Sequence, residues 1–276
     1  MTQVLAAPSL APDAEARLRG VFLAALRSEW TKLRTVRSTM WGLAITVLST
    51  VGFGVLLTAI AVSQWDHRSL AEISGFDPLL YSYAGLNVAQ LCIGVLGVLV
   101  MTSEYATGVI RLTFGATPQR RLLLGAKVLT FGAVVAVVSL VSCVTVFFLC
   151  QAILATKHAG VSIGGPGVLR AVLGGAVHMV LIGVIAVGVG ALVRHTAGAV
   201  AILFGVLLII PGLVQLLPAP WNNDITLYLP NSAGAAMSAV VRFPNLLSPL
   251  DGFVVLTAYA LVTFAVASSV LARRDA

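Results

Sequence analysis

VLRAVLGGAVHMVLIGVIAVGVGALVRHTAGAVAILFGVLLIIPGLVQLL, residues 168–217, holds two apolar runs parted only by Arg194, His195 and their neighbours. Each run supplies the roughly 20 apolar residues that a helix needs to cross a bilayer's hydrocarbon. Both are continuous rather than alternating, which favours helices over the strands of a closed barrel. So short a connection makes the pair a tight helical hairpin. Pro211, near the end of the second run, is expected to kink it, as membrane helices tolerate.

Four further stretches qualify as spans, roughly 39–62, 83–103, 128–153 and 251–272, which with 168–193 and 196–217 makes six. The chain is 276 residues long, 59% hydrophobic and only 10% charged, and its mean hydropathy is +1.01. A soluble domain of that length needs far more polar surface, so the bilayer is the solvent. The expected fold class is an all-α membrane protein.

Orientation follows from the distribution of Lys and Arg. With the N-terminus in the cytoplasm, the outer segments hold only Arg68, Lys157, Arg170 and Arg242 of the 17 basic residues. The others, among them Arg194 in the hairpin and Arg273-Arg274 at the C-terminus, fall on the inner side. The expected location is therefore the cytoplasmic membrane, with both termini inside. The net charge of +7 is explained by topology and anionic headgroups, not by nucleic acid. Cys92, Cys143 and Cys150 lie in apolar runs without a CxxC pair and read as small buried hydrophobes. The first 38 residues do not resemble a cleavable signal, because the basic segment leads into an apolar run too long for one. Gly85/Ala89, Gly132/Ala136, Ala186/Gly190 and Ala201/Gly205 are small-xxx-small pairs, which indicate a bundle without saying which helices touch.

Residues 1–13 read as a disordered tail and 14–38 as an amphipathic helix lying in the interface. Leu18, Val21, Phe22, Ala25, Leu26, Leu33 and Val36 form its apolar stripe, with Trp30 at the margin. Glu29 lies within about 20° of the stripe centre, where an unpaired carboxylate is costly. Either it forms a local pair with Lys32 or it faces protein, namely the next cytoplasmic loop or a peripheral subunit. That loop, 104–127, reads EYATGVIRLTFGATPQRRLLLGAK. Glu104 ends the second span, a helix of one or two turns is broken at Gly115 and Thr117-Pro118, and Arg120-Arg121 leads to Lys127 at the third span.

These features resemble the permease subunits of type-2 ABC transporters of actinobacterial type. The resemblance rests on Ser28-Glu29-Trp30-Thr31-Lys32-Leu33 with Arg34; Glu104-Tyr105, Gly108, Ile110-Arg111, Thr117-Pro118, Arg120-Arg121 and Ala126-Lys127; Val193-Arg194 with Thr196-Ala197-Gly198; and Leu229-Pro230 with Ala233-Gly234. Val109 and Phe114-Gly115 depart from the family pattern. The resemblance implies a connecting helix at 14–38, a coupling helix in the 104–127 loop, and short, partly re-entrant helices between the last two spans, one of them expected at 233–242. It implies a second permease copy and a separate cytoplasmic ATPase, which handles ATP and magnesium. Glu29, Glu104 and Arg111 are the expected coupling residues. Arg120 and Arg121 come second, because lipid headgroups also suit them.

The sequence has no GxxxxGK[ST] loop, no HExxH and no GxSxG, so no cofactor is assigned to this chain. The rival classes are an intramembrane enzyme centred on His178, or an ion-coupled transporter, although the spans lack central acids for coupling. His178 reads as a neutral residue hydrogen-bonded across helices, or else as part of a translocation path together with Asn87 and Gln90. Gln151 and Gln215 are the other polar residues of the outer half.

Overall fold

The computed structural model describes residues 11–69, 72–73, 75–109 and 120–273, and all regular elements within them are helical. Six helices are long and apolar enough to span a membrane. In chain order the elements are α1 (Ala11–Thr35), α2 (Arg37–Ser63), a 3-10 turn (Trp65–His67), α3 (Pro78–Ser82), α4 (Leu86–Ala106) and α5 (Arg120–Ala155). There follow α6 (Val168–Val193), α7 (Thr196–Val214), α8 (Trp221–Tyr228), α9 (Pro230–Ser238) and α10 (Pro249–Arg273). The spans are α2, α4, α5, α6, α7 and α10. The chain is a multi-pass membrane protein.

Helix α6 is the centre of the bundle and packs against α4, α5, α7, α9 and α10. Its approach to α4 depends on missing side chains. A Cβ placed on Gly97 would stand 2.7 Å from Ala186 Cβ, and one on Gly190 would stand 3.0 Å from the Val98 carbonyl oxygen. Close backbone approach of this kind holds helices together where lipid is as apolar as their side chains. Of the four small-residue pairs, Ala186/Gly190 belongs to this seam, and Gly85/Ala89 is buried with Gly85 against the Ser49 and Thr50 carbonyls. Gly132 and Gly205 have no such close neighbour. Ile93, Met101, Leu124, Phe131, Phe147, Met179, Ile182 and Leu256 fill the interior.

Several boundaries differ from the sequence reading. Helix α1 begins at Ala11, inside the expected tail, and ends at Thr35, with extended backbone at Val36 before α2. Residues 1–10 and 274–276 lie outside the described residues. So does 110–119, part of the expected coupling loop 104–127, which carries Arg111. The third span starts at Arg120, so Arg120, Arg121 and Lys127 stand on a helix of 36 residues, not in a loop. At 1.5 Å per residue it measures about 54 Å against a hydrocarbon thickness of about 30 Å, so its charged first turns project beyond the core. The expected helix at 233–242 is instead α9, shifted towards the N-terminus because Pro230 is suited to its first turn.

The fifth span is irregular, with a π turn over Gly205–Ile209 ahead of Pro211. Pro211 brings no N–H to the carbonyl one turn back, that of Leu207. Asn231 on α9 supplies the donor, with Nδ2 2.8 Å from the Leu207 oxygen.

Candidate functional site

The first turns of α5, the last turn of α4 and the C-terminal half of α1 meet at the end of the bundle that carries most of the basic residues. Ala25, Glu29 and Leu33, each four residues apart, form the buried strip of α1, which lies chiefly on α5. Glu29 is therefore the middle of the packed face, and Trp30, Val21 and Val36 are exposed. Leu123 and Leu124 are buried and hold the start of α5 in place, which brings Lys127 under the same face.

Four charges close into a ring here. Lys127 Nζ donates to Glu29 Oε2 at 2.8 Å and to Glu104 Oε1 at 2.6 Å. Lys32 Nζ donates to Glu29 Oε1 at 2.8 Å and to the same Glu104 Oε1 at 2.6 Å. Signs alternate around the ring and its net charge is zero. The Lys127 side chain is 0% exposed, Glu29 4% and Glu104 8%, whereas Lys32 keeps 36% and is the wet corner. Burial opposes the charge on Lys32, but its hydrogen bonds to Glu104 and Glu29 and their negative charge outweigh it and raise its pKa above the usual 10.5. Glu104 Oε2 has no hydrogen-bond partner.

Both alternatives for Glu29 thus meet in one place. It pairs locally with Lys32 and also faces protein, but that protein is α5 of the same chain, and its carboxylate has no surface left for a peripheral subunit. Glu104 is likewise turned inward. Lys127, read from sequence only as the loop's end, is the deepest member of the ring. The signal that could have found it was the basic residue at the start of a long apolar run, facing two acids that needed partners.

The remaining expected residues lie elsewhere. Arg120 Nη1 donates to the Leu271 carbonyl at 3.2 Å, tying α5 to the end of α10, and Arg121 is exposed. Arg194 ends α6 in the left-handed region, φ 59°, with its guanidinium 5.3 Å from the centre of the Tyr105 ring. Thr196 Oγ1 donates to Thr102 Oγ1 at 2.9 Å. These contacts fasten the α6–α7 hairpin to α4 beside the ring.

Among the candidate path residues, no hydrogen bond joins His178 to Asn87 or Gln90. Asn87 is exposed and Gln90 is buried, with Nε2 donating to the Asn87 carbonyl at 3.3 Å. Gln215 is exposed, and Gln151 Oε1 accepts the Val161 N–H at 2.7 Å. His178 is buried against Gly234 of α9, where any Cβ would strike its ring. Its Nε2 has no hydrogen-bond partner, so the expected cross-helix bond is not made through that atom.

At the opposite end the structure shows a brace that the sequence did not announce. Asp77 Oδ1 accepts the N–H groups of Leu79 and Leu80, capping α3, and Oδ2 accepts those of Val240 and Val241. Arg170 on α6 donates to the Met237 and Ala239 carbonyls at 3.1 and 2.7 Å, at the C-terminal end of α9. Among the described residues no three His, Cys, Asp or Glu side chains group as metal ligands. No family model matches the chain, and no curated protein matches it.

Proposed function

We propose that this chain is the membrane-spanning permease subunit of an ATP-driven ABC export system, forming the translocation path and coupled to a separate cytoplasmic ATPase. The observation that carries this reading is the closed charge ring. It joins α1 to the inner ends of two spans by buried ion pairs, so that a push on the segment between α4 and α5 would move α1, α4 and α5 as one body. A ring whose members are consumed internally suits transmission of force rather than docking. In this reading the ATPase meets the exposed Arg121 and the segment that carries Arg111, while Glu29, Lys32, Glu104 and Lys127 carry the motion inward. A second permease copy completes the path, α8 and α9 are the short outer helices, and two copies rock between inward- and outward-facing states.

The test is co-purification of an ABC ATPase with this chain and reconstitution of the pair. The double variant Glu104→Gln/Lys127→Met leaves the neutral Glu29–Lys32 pair behind and is expected to insert normally. It should nevertheless lose most of the transport-coupled ATPase stimulation. Wild-type coupling in that variant, or failure of any ABC ATPase to co-purify with the chain, removes the proposal. The unpartnered Nε2 of His178 favours the enzyme alternative, which requires activity from the purified chain alone and its loss in His178→Ala.

A further inference from the structure

At the end of the bundle opposite the charge ring, where α6 and α10 begin, a cavity of about 500 Å³ opens between α6, α9 and the segment leading to α10. Its lining contains two guanidiniums, Arg170 and Arg242, and no carboxylate. The rest is mostly apolar, with Val240, Phe243, Leu246 and Leu250 among the walls. Three acids in adjoining segments have partners of their own: Asp77 holds four backbone N–H groups, Asp251 Oδ2 accepts the Ser248 hydroxyl at 2.6 Å, and Glu72 Oε2 accepts from Ser69.

A guanidinium carries five N–H donors. Arg170 directs two of its nitrogens to the Met237 and Ala239 carbonyls, which fixes the side chain and leaves further donors free. Arg242 is exposed and has no acceptor among the described residues. Two like charges sharing one cavity repel unless an anion lies between them, and planar guanidiniums match phosphate oxygens in pairs. Leu250, 69% exposed in the first turn of α10, lies on the lining at the end of a span, where acyl chains are at hand. Free donors, apolar walls and position together select an amphipathic anion.

We propose that this cavity binds the phosphate headgroup of an anionic phospholipid, with Arg242 and Arg170 on the phosphate and the acyl chains leaving past Leu250 and Phe243. The site is independent of the ATPase assignment, since it concerns the purified chain in lipid.

The test is native mass spectrometry of the full chain released from mixed phosphatidylglycerol and phosphatidylcholine vesicles. The wild-type chain is expected to retain phosphatidylglycerol selectively. Arg242→Gln should retain roughly tenfold less, the size of one lost charge-assisted hydrogen bond. Arg242→Lys should recover part of it, and Arg34→Gln, which removes an exposed arginine near the opposite end, should change nothing. Glycerol phosphate, which has no tails, should not displace the lipid. Equal retention by wild type and Arg242→Gln overturns the site. So does an equal loss in Arg34→Gln, which would mean general surface charge. Displacement by glycerol phosphate overturns the lipid assignment in favour of a soluble phosphate.

Discussion

Lys127 shows how a buried ammonium is kept in a membrane bundle. Its charge is matched by two carboxylates at 2.8 and 2.6 Å, which it shares with Lys32, so that its removal leaves two acids to one base. Lys127→Met is therefore expected to cost about 3–5 kcal/mol, because it strands a negative charge. Adding Glu29→Gln leaves the neutral Lys32–Glu104 pair and should recover a large part of that loss. Thermal unfolding in detergent measures both, and strict additivity of the two substitutions would show that the ring is not a unit. Lys32, the wet corner, gives the ring its pH dependence. Its folded pKa lies above the ordinary 10.5, so its contribution is complete below that pH and disappears as pH rises through the folded value. The melting temperature should thus fall above about pH 10.5 more steeply in the wild type than in Lys32→Met. Parallel profiles would exclude Lys32 as the titrating group. The hydrophobic stripe of α1 made Glu29 legible as an anomaly, but its second partner lies 98 residues away and no helical periodicity reports it.

Among the elements, α7 is the one whose stability is borrowed. Its π turn and Pro211 leave the Leu207 carbonyl to Asn231 of α9, so a break in the fifth span is closed by a short helix outside it. Asn231→Leu should cost about 1–3 kcal/mol in the wild type, the desolvation penalty of a carbonyl left alone. In a Pro211→Ala background, where the backbone donor returns, it should cost much less. Equal penalties in both backgrounds, read as melting temperatures, would break the link between the two residues. An irregularity near Pro211 was legible from the proline alone, and the structure places it as a π turn just ahead of that residue. Its repair was not legible, since an Asn after Leu-Pro in a long loop carries no sign of the helix that it serves. The early start of α5 has a similar cause: continuous apolar residues allowed a longer helix, and burial of Leu123 and Leu124 realised it.

For the whole molecule, the two ends are built differently. One is fastened by ionic side chains, the other by the carboxylate of Asp77 and the guanidinium of Arg170 acting on backbone groups around α9. An even number of spans puts the α4–α5 connection, α1 and the end of α10 on one face. With Cys92, Cys143 and Cys150 replaced by Ala, Thr107→Cys is expected to react with a membrane-permeant maleimide in intact cells. It should resist an impermeant one until the cells are opened. Labelling from outside would invert the topology and end the ABC reading, because no soluble ATPase could reach the ring. The sequence by itself determined the six spans, the hairpin at Arg194, the expected side of the basic residues and the amphipathic first helix. Those depend on local composition and period, set by the transfer of side chains from water to lipid. Only the tertiary structure decided that Glu29, Lys32, Glu104 and Lys127 form one ring, that Asn231 completes α7, and that Arg170 and Arg242 share a cavity. Each of these is a meeting between distant segments, fixed by which helix faces pack, and in lipid that choice rests on small-residue contacts and polar pairing that no linear pattern encodes.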